Sequence, residues 1–329
     1  MRRLRIFTWH VHGNYLWYLS QINHDIYIPL GGARGPGYGG RGTSFPFGEN
    51  VIDVPVESVA SRQFDCIVFQ HRTHFEVDQY DVLSPTQREL PRIYLEHDPP
   101  QQHPTNTHHW ADDPNIMLVH VTPFNALMWN SSRSPTRIID HGVIDQPEVR
   151  YTGELRRGVS VVNNLASRGR RLGADVFETA RRTVPLDLVG MGSQDVGGLG
   201  EIAPLKLRAL EARYRFFFNP IRYTSLGLAV IEAMMIGMPI VGLATTEMAT
   251  AVRNGVSGFV DTSLDKLISA MRFLLDDPVE GRRLGDNARR YAHERFNIHR
   301  FVRDWERTFA DVALHGRRRR PLLKGGTTT

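Results

Sequence analysis

Residues 214–243 read YRFFFNPIRYTSLGLAVIEAMMIGMPIVGL, and this stretch decides the fold prediction. An aromatic run over residues 214–218 predicts a buried strand that stops at Asn219 and Pro220, because proline has no N–H to donate to a sheet. Residues 226–236 are apolar on every face apart from one carboxylate, which predicts a buried helix. A second apolar run over residues 239–243 predicts another strand. Strand, helix and strand in this order indicate a parallel α/β unit.

The predicted helix presents two polar features along one stripe. Ser225 is a good N-cap residue, so we expect the N–H groups of Leu226, Gly227 and Leu228 to bind a phosphate at the helix start. Glu232 lies two turns further on, roughly 10 Å along the axis at 1.5 Å per residue, where it is placed to accept hydrogen bonds from a diol such as ribose. The alternative is that Ser225 only caps the helix and Glu232 pairs with a neighbouring arginine.

Outward from this unit, short apolar runs alternate with helical patterns through a chain of 329 residues, which is long for a single core. The alternation lapses around residues 143–158, and this predicts a connection between two doubly wound domains, residues 1–145 and 146–298, with a ligand cleft between them. We predict strands over residues 4–9, 25–29, 66–70, 92–96, 116–121, 136–140, 159–163, 186–189, 214–218 and 239–243. An amphipathic helix over residues 299–314 is expected to bury its apolar stripe against protein.

Composition excludes several classes of protein. The net charge of +5 equals the five cations of the tail, Arg317 to Arg320 and Lys324, so the body is formally neutral and a nucleic-acid-binding surface is not expected. The single cysteine excludes an internal disulfide, and no apolar run is long enough to cross a membrane. We therefore predict a cytoplasmic protein with a flexible tail, residues 315–329. This basic tail is either a solvated, disordered end or a segment that contacts anionic membranes peripherally. The glycine-rich segment 31–48 predicts a mobile loop without a core of its own.

The stretch SLGLAVIEAM over residues 225–234, followed by Gly237, Pro239 and Val241, resembles the donor-binding motif of retaining glycosyltransferases of family 4. The resemblance implies the GT-B fold, which consists of two Rossmann-like domains facing a cleft. It also implies that Glu232 binds the nucleotide ribose. The other glutamate of the motif, which contacts the donor sugar in the family, falls on Thr224, and this departure leaves open an inactive relative.

Further segments of the C-terminal half resemble the same family. Residues 161–165 (VVNNL) match its first strand in this domain, where Asn163 and Asn164 replace a Gly-Arg pair. The residues that follow match the family's phosphate-binding region, which implies that arginines neutralise the diphosphate, since their planar forks bind two oxygens at once. The candidates are Arg168, Arg170 and Arg171. Gly190, in LVGMG, matches the strand–glycine turn of the domain.

In the N-terminal half, a predicted strand over residues 92–96 delivers His97 and Asp98 to the cleft. The family often has a histidine here, beside the donor sugar and the acceptor, so the resemblance implies a catalytic role for His97. The alternative is that His97 is a surface histidine with a purely structural hydrogen bond. Asp98 and Gly13, which occupies the place of the family's first glycine-rich turn, are assigned to the acceptor side. The residues His103, His108 and His109 suggest a metal, but no Asp-x-Asp motif follows, and we expect neither a metal nor a cofactor.

The function that the resemblance implies is retaining, metal-independent transfer of a sugar from a nucleotide diphosphate to a hydroxyl of a glycan, a lipid-linked acceptor or a small molecule. Two alternatives stay open. One is a catalytically silent protein that binds nucleotide sugars, motivated by Thr224. The other is a different GT-B enzyme, such as a sugar-nucleotide epimerase or a phosphorylase, although no lysine typical of a pyridoxal enzyme is evident.

Overall fold

The computed structural model describes residues 2–31 and 35–319, and it contains two parallel sheets, each with helices packed on it. This is the α/β architecture that the alternating pattern predicts. The first sheet ends at Ile138 and the second begins at Leu155. The domain boundary predicted between residues 145 and 146 falls within the connection.

The first sheet has seven strands in the order β3-β2-β1-β4-β5-β6-β7, all of them parallel. The strands are β1 (Arg5–Thr8), β2 (Asp25–Leu30), β3 (Val51–Pro55), β4 (Cys66–Phe69), β5 (Arg92–Glu96), β6 (Ile116–His120) and β7 (Thr136–Ile138). Strand β3 was not predicted, because it is a short edge strand that carries a charged residue and ends in proline, and both features are unfavourable in a strand.

Short helices connect these strands. They are α1 (Gly13–Leu19), α2 (Gln79–Val82), α3 (Pro85–Arg88) and α4 (Pro123–Met128), together with a 3₁₀ turn at Val56–Ser61 and a π-turn at His74–Asp78. The glycine-rich segment differs from its prediction. Tyr38 is 3% exposed, and its hydroxyl donates to Oδ2 of Asp78 over 2.8 Å. Because the Tyr38 ring is buried in the apolar core, it attaches the described part of the segment, residues 35–48, to that core.

The second sheet has five parallel strands in the order β12-β11-β10-β8-β9. The strands are β8 (Leu155–Val161), β9 (Leu186–Val189), β10 (Tyr214–Asn219), β11 (Ile240–Leu243) and β12 (Gly258–Asp261). The helices are α5 (Leu165–Leu172), α6 (Ala174–Arg181), α7 (Pro204–Glu211), α8 (Leu228–Ile236), α9 (Met248–Ala251), α10 (Leu264–Asp276) and α11 (Pro278–Arg295), with a 3₁₀ turn at Gln194–Val196. Strand β10, helix α8 and strand β11 form the parallel unit with which the fold prediction began.

The last helix, α12 (Ile298–Arg319), returns to the N-terminal domain. Trp305 is fully buried, and its Nε1 donates to the Tyr15 hydroxyl of α1 over 3.2 Å. The helix was predicted to end at residue 314 but continues to Arg319, and the rest of the predicted flexible tail lies outside the described residues. No helix in the described part of the chain is long and apolar enough to cross a membrane.

Candidate functional site

The carboxyl ends of the two sheets face each other, and hydrogen bonds join them. Thr224, after β10, donates from Oγ1 to Oδ1 of Asp98, after β5, over 3.4 Å. The N–H of Phe124 in α4 donates to Oε2 of Glu247, just before α9, over 3.1 Å. Folds with doubly wound sheets bind ligands at these strand ends. The predicted site residues of the two domains therefore meet at one interdomain cleft.

Helix α8 begins two residues later than predicted. Its N-cap is Gly227, with φ −64° and ψ 136°, and no side chain caps the helix. Because the backbone is still extended at Gly227, Ser225 lies too far ahead to act as the cap, and that prediction is wrong. The N–H groups of the first turn, from Leu228 onward, and the positive end of the helix dipole remain as an anion-binding feature. A side chain at Gly227 would meet no atom within 4 Å, so the space beside the helix start is open, whereas Leu226 is buried beneath it.

Glu232 lies in α8 and is 4% exposed. Its Oε1 accepts hydrogen bonds from Nδ2 of Asn14 over 3.1 Å, from the Tyr18 hydroxyl, and from a guanidinium nitrogen of Arg208 over 3.4 Å. The pairing with an arginine, which the sequence left open, is therefore present. All three bonds reach the same oxygen, and within the described residues no hydrogen bond reaches Oε2.

The groups around Glu232 form a buried network between the two domains. Arg208 of α7 also donates to the Ile144 carbonyl of the interdomain connection over 2.7 Å and to the Tyr18 hydroxyl. Burial opposes the charge of Arg208, but the attraction of Glu232 and Tyr18 outweighs it and raises the pKa of the guanidinium. Burial, reinforced by Glu232, also raises the pKa of Glu211 well above its usual value. Since Arg208 has one positive charge, it is matched by Glu232, while Glu211 is favoured in its neutral form.

His97 is positioned at the end of β5 by contacts on several sides. Its Nε2 lies 3.1 Å from Oε1 of Gln70, which follows β4. The rings of His12 and Tyr15 pack edge-on against it, with centroid distances of 4.2 Å and 4.8 Å. Burial lowers the pKa of His97 well below its ordinary value, and the nearby His12 and His141 lower it further. The ring is therefore neutral at physiological pH, although it stays partly exposed.

Asp98 is held by its own backbone. Its N–H donates to Oε1 of Glu96 over 2.9 Å, and its carbonyl accepts from Nε1 of Trp129 over 2.8 Å. Burial raises the pKa of Glu96 to about 8. Burial lowers the pKa of both Arg168 and His12, and the nearby carboxylate of Asp98 opposes this by favouring their charged forms. This carboxylate thus lies where the N-terminal domain meets the predicted phosphate site.

The three candidate arginines differ in their partners. Gly169 interrupts α5 with φ 56° and ψ −137°, so Arg168 and Arg170 lie on opposite sides of a kink in the helix. Arg170 pairs with Oδ2 of Asp175 over 2.7 Å, on a carboxylate that Arg222 also binds. Arg168 is exposed, and desolvation together with repulsion by Arg171 lowers its pKa. Arg168 and Arg171 are therefore the neighbouring cations available to a ligand.

Asn163 and the two glycines shape turns at the cleft. Asn163 accepts the Met191 N–H on Oδ1 over 2.9 Å. Gly190 has φ 136°, and a Cβ there would lie 2.7 Å from the Val162 carbonyl oxygen, so only glycine fits this turn. At Gly13, the first residue of α1, a Cβ would lie 2.4 Å from the ring of Phe45.

The three histidines considered as metal ligands have separate partners. His109 is buried and bonds Oε2 of Glu96 over 3.1 Å through Nε2, while Nδ1 of His108 lies 3.1 Å from the Ser132 hydroxyl. His103 is exposed. In the ranges that the structure describes, no group of three or more histidine, cysteine or acidic side chains is arranged to hold a metal ion.

Several residues of the site were missed from the sequence. Asn14 and Tyr18 are spaced four residues apart directly after Gly13, which places them on one face of α1, and this spacing was the available signal. Arg208, Gln70 and Glu247 carried no such signal, because each reaches the site from a distant part of the chain.

Comparison with known protein families finds a match within the C-terminal half of the chain. Residues 178–277 match the family model described as "Glycosyl transferases group 1", in the domain that contains α8. No curated protein matches the chain in sequence. The resemblance on which the fold was predicted is therefore confirmed at this domain.

Solved structures extend the likeness over nearly the whole chain. Sucrose-phosphate synthase from Thermosynechococcus elongatus is 15% identical, with 95% of this chain and 100% of that chain covered and a TM-score of 0.67. HepE from Anabaena, solved in complex with UDP and glucose, is 14% identical, with 94% and 100% covered and a TM-score of 0.68. A glycosyltransferase from Rickettsia africae is 10% identical, with 95% and 99% covered and a TM-score of 0.67. The chain has the GT-B fold.

Proposed function

We propose that this protein is a glycosyltransferase that moves a sugar from a nucleotide diphosphate to a hydroxyl acceptor. The observation that carries the proposal is the open start of α8, with two arginines and the Glu232 carboxylate on its own domain and His97 and Asp98 opposite. A nucleotide sugar has a diol, a diphosphate and a polyhydroxylated ring in this order. The cleft offers the Glu232 carboxylate for the diol, Arg168 and Arg171 for the diphosphate, and His97 and Asp98 for the sugar ring.

The diphosphate binds between the α8 N–H groups and the guanidinium groups of Arg168 and Arg171. Charge develops on the diphosphate as the bond to the sugar breaks, and preorganised donors stabilise that charge more strongly than the ground state. Oε2 of Glu232 accepts the ribose hydroxyls, while the hydrogen bonds of Asn14, Tyr18 and Arg208 to Oε1 fix the carboxylate in place.

The donor sugar lies against His97 and Asp98, and the acceptor enters from the side of Gly13. The sequence assigned Asp98 to the acceptor side, but its hydrogen bond from Thr224 of the donor domain supports a place beside the donor sugar. We propose retaining transfer, in which the acceptor hydroxyl attacks on the face from which the diphosphate leaves. No metal is required in this proposal, because arginines and helix N–H groups supply the positive charge. The acceptor is a glycan or a lipid-linked sugar, and a cytoplasmic location with peripheral membrane contact through the basic C-terminal residues belongs to the same proposal.

UDP-sugars are the first donors to test, since HepE has been solved with UDP-glucose and pneumococcal GtfA with UDP and GlcNAc. A second candidate function is binding of the nucleotide sugar without transfer. Thr224 favours this second candidate, because the resembling sequences have a glutamate at this position and threonine has no carboxylate. An enzyme of another class on this fold, such as an epimerase, would consume the donor without transferring its sugar.

The test compares two arginines of the same helix. We expect Arg168→Gln to weaken binding of UDP-glucose or UDP-GlcNAc about tenfold or more, because a hydrogen bond to a charged group is worth roughly 1.5–3 kcal/mol. Arg170→Gln is the matched control, since its guanidinium is bonded to Asp175 and its loss should leave the affinity unchanged. Calorimetry with UDP-, GDP-, ADP- and TDP-sugars measures both.

Turnover assays on the wild-type protein separate the alternatives. Transfer or slow donor hydrolysis that persists in EDTA supports the proposal. Activity that is lost in EDTA and restored by manganese would contradict the proposed metal independence. Tight binding without any turnover would favour the silent binding protein. Absence of binding for every nucleotide sugar, or equal losses in the two arginine variants, would contradict the proposed donor site.

A further inference from the structure

A line of hydrogen bonds runs from the middle of the first sheet to His97. The Thr8 hydroxyl donates to the Val68 carbonyl over 2.9 Å. Nε2 of Gln70 donates to Oγ1 of Thr8 over 2.9 Å and to the Trp9 carbonyl over 3.1 Å. Oε1 of Gln70 then lies 3.1 Å from Nε2 of His97. Thr8 and Gln70 are 0% and 5% exposed, so water does not compete for these bonds.

The chemistry of these groups gives the line one direction. A backbone carbonyl only accepts, so the Gln70 amide must turn its NH₂ toward Trp9, and the opposite orientation would place two oxygens together. The single Thr8 proton is already directed to the Val68 carbonyl, so Thr8 accepts from Gln70. With its NH₂ so engaged, Gln70 presents only its carbonyl oxygen to His97. The Nε2 atom of His97 must therefore carry the proton.

The other ring nitrogen is left as an acceptor. A neutral imidazole has one N–H and one bare nitrogen, and burial beside His12 and His141 lowers the pKa of His97 and favours this neutral form. Within the described residues no hydrogen bond reaches Nδ1 of His97. The ring is partly exposed and follows β5 at the carboxyl edge of the sheet.

We infer that Gln70 and Thr8 are positioning residues that hold His97 as its Nε2–H tautomer, so that Nδ1 accepts a hydrogen bond from a hydroxyl of the bound sugar. The inference rests on the proposed function for the identity of the ligand, but the tautomer follows from the protein alone. In this tautomer, Nδ1 of His97 binds only a group on the sugar that donates a hydrogen bond, such as a hydroxyl. A sugar in which fluorine replaces this hydroxyl has no proton to donate to Nδ1.

The tautomer is measured by long-range ¹H–¹⁵N correlation on the histidine rings of the full chain, with His97→Gln used to assign the signals. We expect the wild-type protein to show a protonated Nε2 and a bare Nδ1. Gln70→Leu removes the carbonyl that accepts from Nε2, and it should shift the ring toward a mixture of tautomers. His109 is an internal control, because the Ala111 N–H on Nδ1 and Glu96 at Nε2 fix its tautomer independently.

The conservative pair Thr8→Ser and Thr8→Val tests the next bond along the line. The serine variant retains the hydroxyl and should keep the wild-type tautomer. The valine variant removes one of the two acceptors of the Gln70 NH₂ but leaves the Trp9 carbonyl, so it should shift the ring toward a mixture of tautomers less than Gln70→Leu does. If Gln70→Leu does not fold, this pair and the wild-type spectrum decide the matter. A protonated Nδ1 in the wild-type protein, or an unchanged tautomer in Gln70→Leu and Thr8→Val, would overturn the inference.

Donor binding provides the second readout. Among deoxyfluoro analogues of a bound nucleotide sugar, we expect one to bind roughly three- to tenfold more weakly than the parent in the wild-type protein, as one neutral hydrogen bond is lost. The difference in affinity between this analogue and its parent should be smaller for Gln70→Leu, because only part of that protein has a bare Nδ1. Equal sensitivity to every analogue in both proteins would overturn the sugar contact. If no nucleotide sugar binds the wild-type protein, the proposed function fails and the sugar contact fails with it, while the tautomer result stands by itself.

Discussion

At the scale of single residues, the most informative position is the one that departs from the family motif. Thr224 has a hydroxyl where the resembling sequences have a glutamate. In the structure this hydroxyl donates to Asp98 of the other domain over 3.4 Å. A carboxylate is thus present at the same place in the cleft, although it comes from β5 and not from the motif. We expect Asp98 to bind the hydroxyls of the donor sugar.

This assignment predicts a loss and a rescue. Asp98→Asn should lower kcat/KM for the donor by about 10- to 100-fold, because the hydrogen bond it weakens is to a charged group worth roughly 1.5–3 kcal/mol. Adding Thr224→Glu to that variant should restore part of the loss, since a carboxylate is then supplied by the C-terminal domain, at the position where the resembling sequences have a glutamate. Asp112→Asn, which affects an exposed carboxylate bound to Arg133, serves as the control. Steady-state kinetics in which the double variant is no better than Asp98→Asn would contradict the assignment.

At the scale of elements, α12 packs against the N-terminal domain. Phe301, Trp305 and Phe309 are at most 1% exposed, which is the apolar stripe that the helical spacing predicts. Arg137 of β7 adds an ion pair to Asp311 over 2.8 Å. Because α12 follows α11 of the C-terminal domain, this packing ties the two halves of the molecule together.

Truncation of the largest side chain in that stripe should therefore destabilise the protein. We expect Trp305→Ala to lower the free energy of unfolding by about 3–5 kcal/mol, the usual cost of removing a fully buried tryptophan. Leu314→Ala, at a position 58% exposed on the same helix, should change it by less than about 0.5 kcal/mol. Urea denaturation monitored by circular dichroism makes the comparison. A loss for Trp305→Ala no larger than that for Leu314→Ala would show that α12 does not contribute to stability as described.

At the scale of the whole molecule, the sequence predicted the architecture better than it predicted the contacts. Apolar periodicity located ten of the strands because buried parallel strands are nearly continuous apolar runs. It placed the start of α8 two residues early, since the extended conformation of Gly227 depends on the loop before it. The edge strands β3 and β12 were missed because sheet edges carry weaker apolar patterns.

The site residues divide in the same way. Glu232, His97 and Asp98 stood out because each follows or interrupts an apolar run. Arg170 was grouped with Arg168 through the resemblance, but the carboxylate of Asp175 binds the Arg170 guanidinium. Partners such as Arg208, Gln70 and Glu247 meet the site through long-range packing, which no local pattern encodes.

The central claim is that α8 binds the nucleotide of the donor, and titration of UDP into wild-type and Glu232→Gln protein by calorimetry tests it most directly. We expect the variant to bind UDP at least about tenfold more weakly, because the carboxylate that accepts the ribose hydroxyls becomes a neutral amide. Circular dichroism confirms that the variant is folded, which is needed because Arg208 loses its buried partner. Weaker binding by a folded variant supports the claim. An unchanged Kd would contradict it.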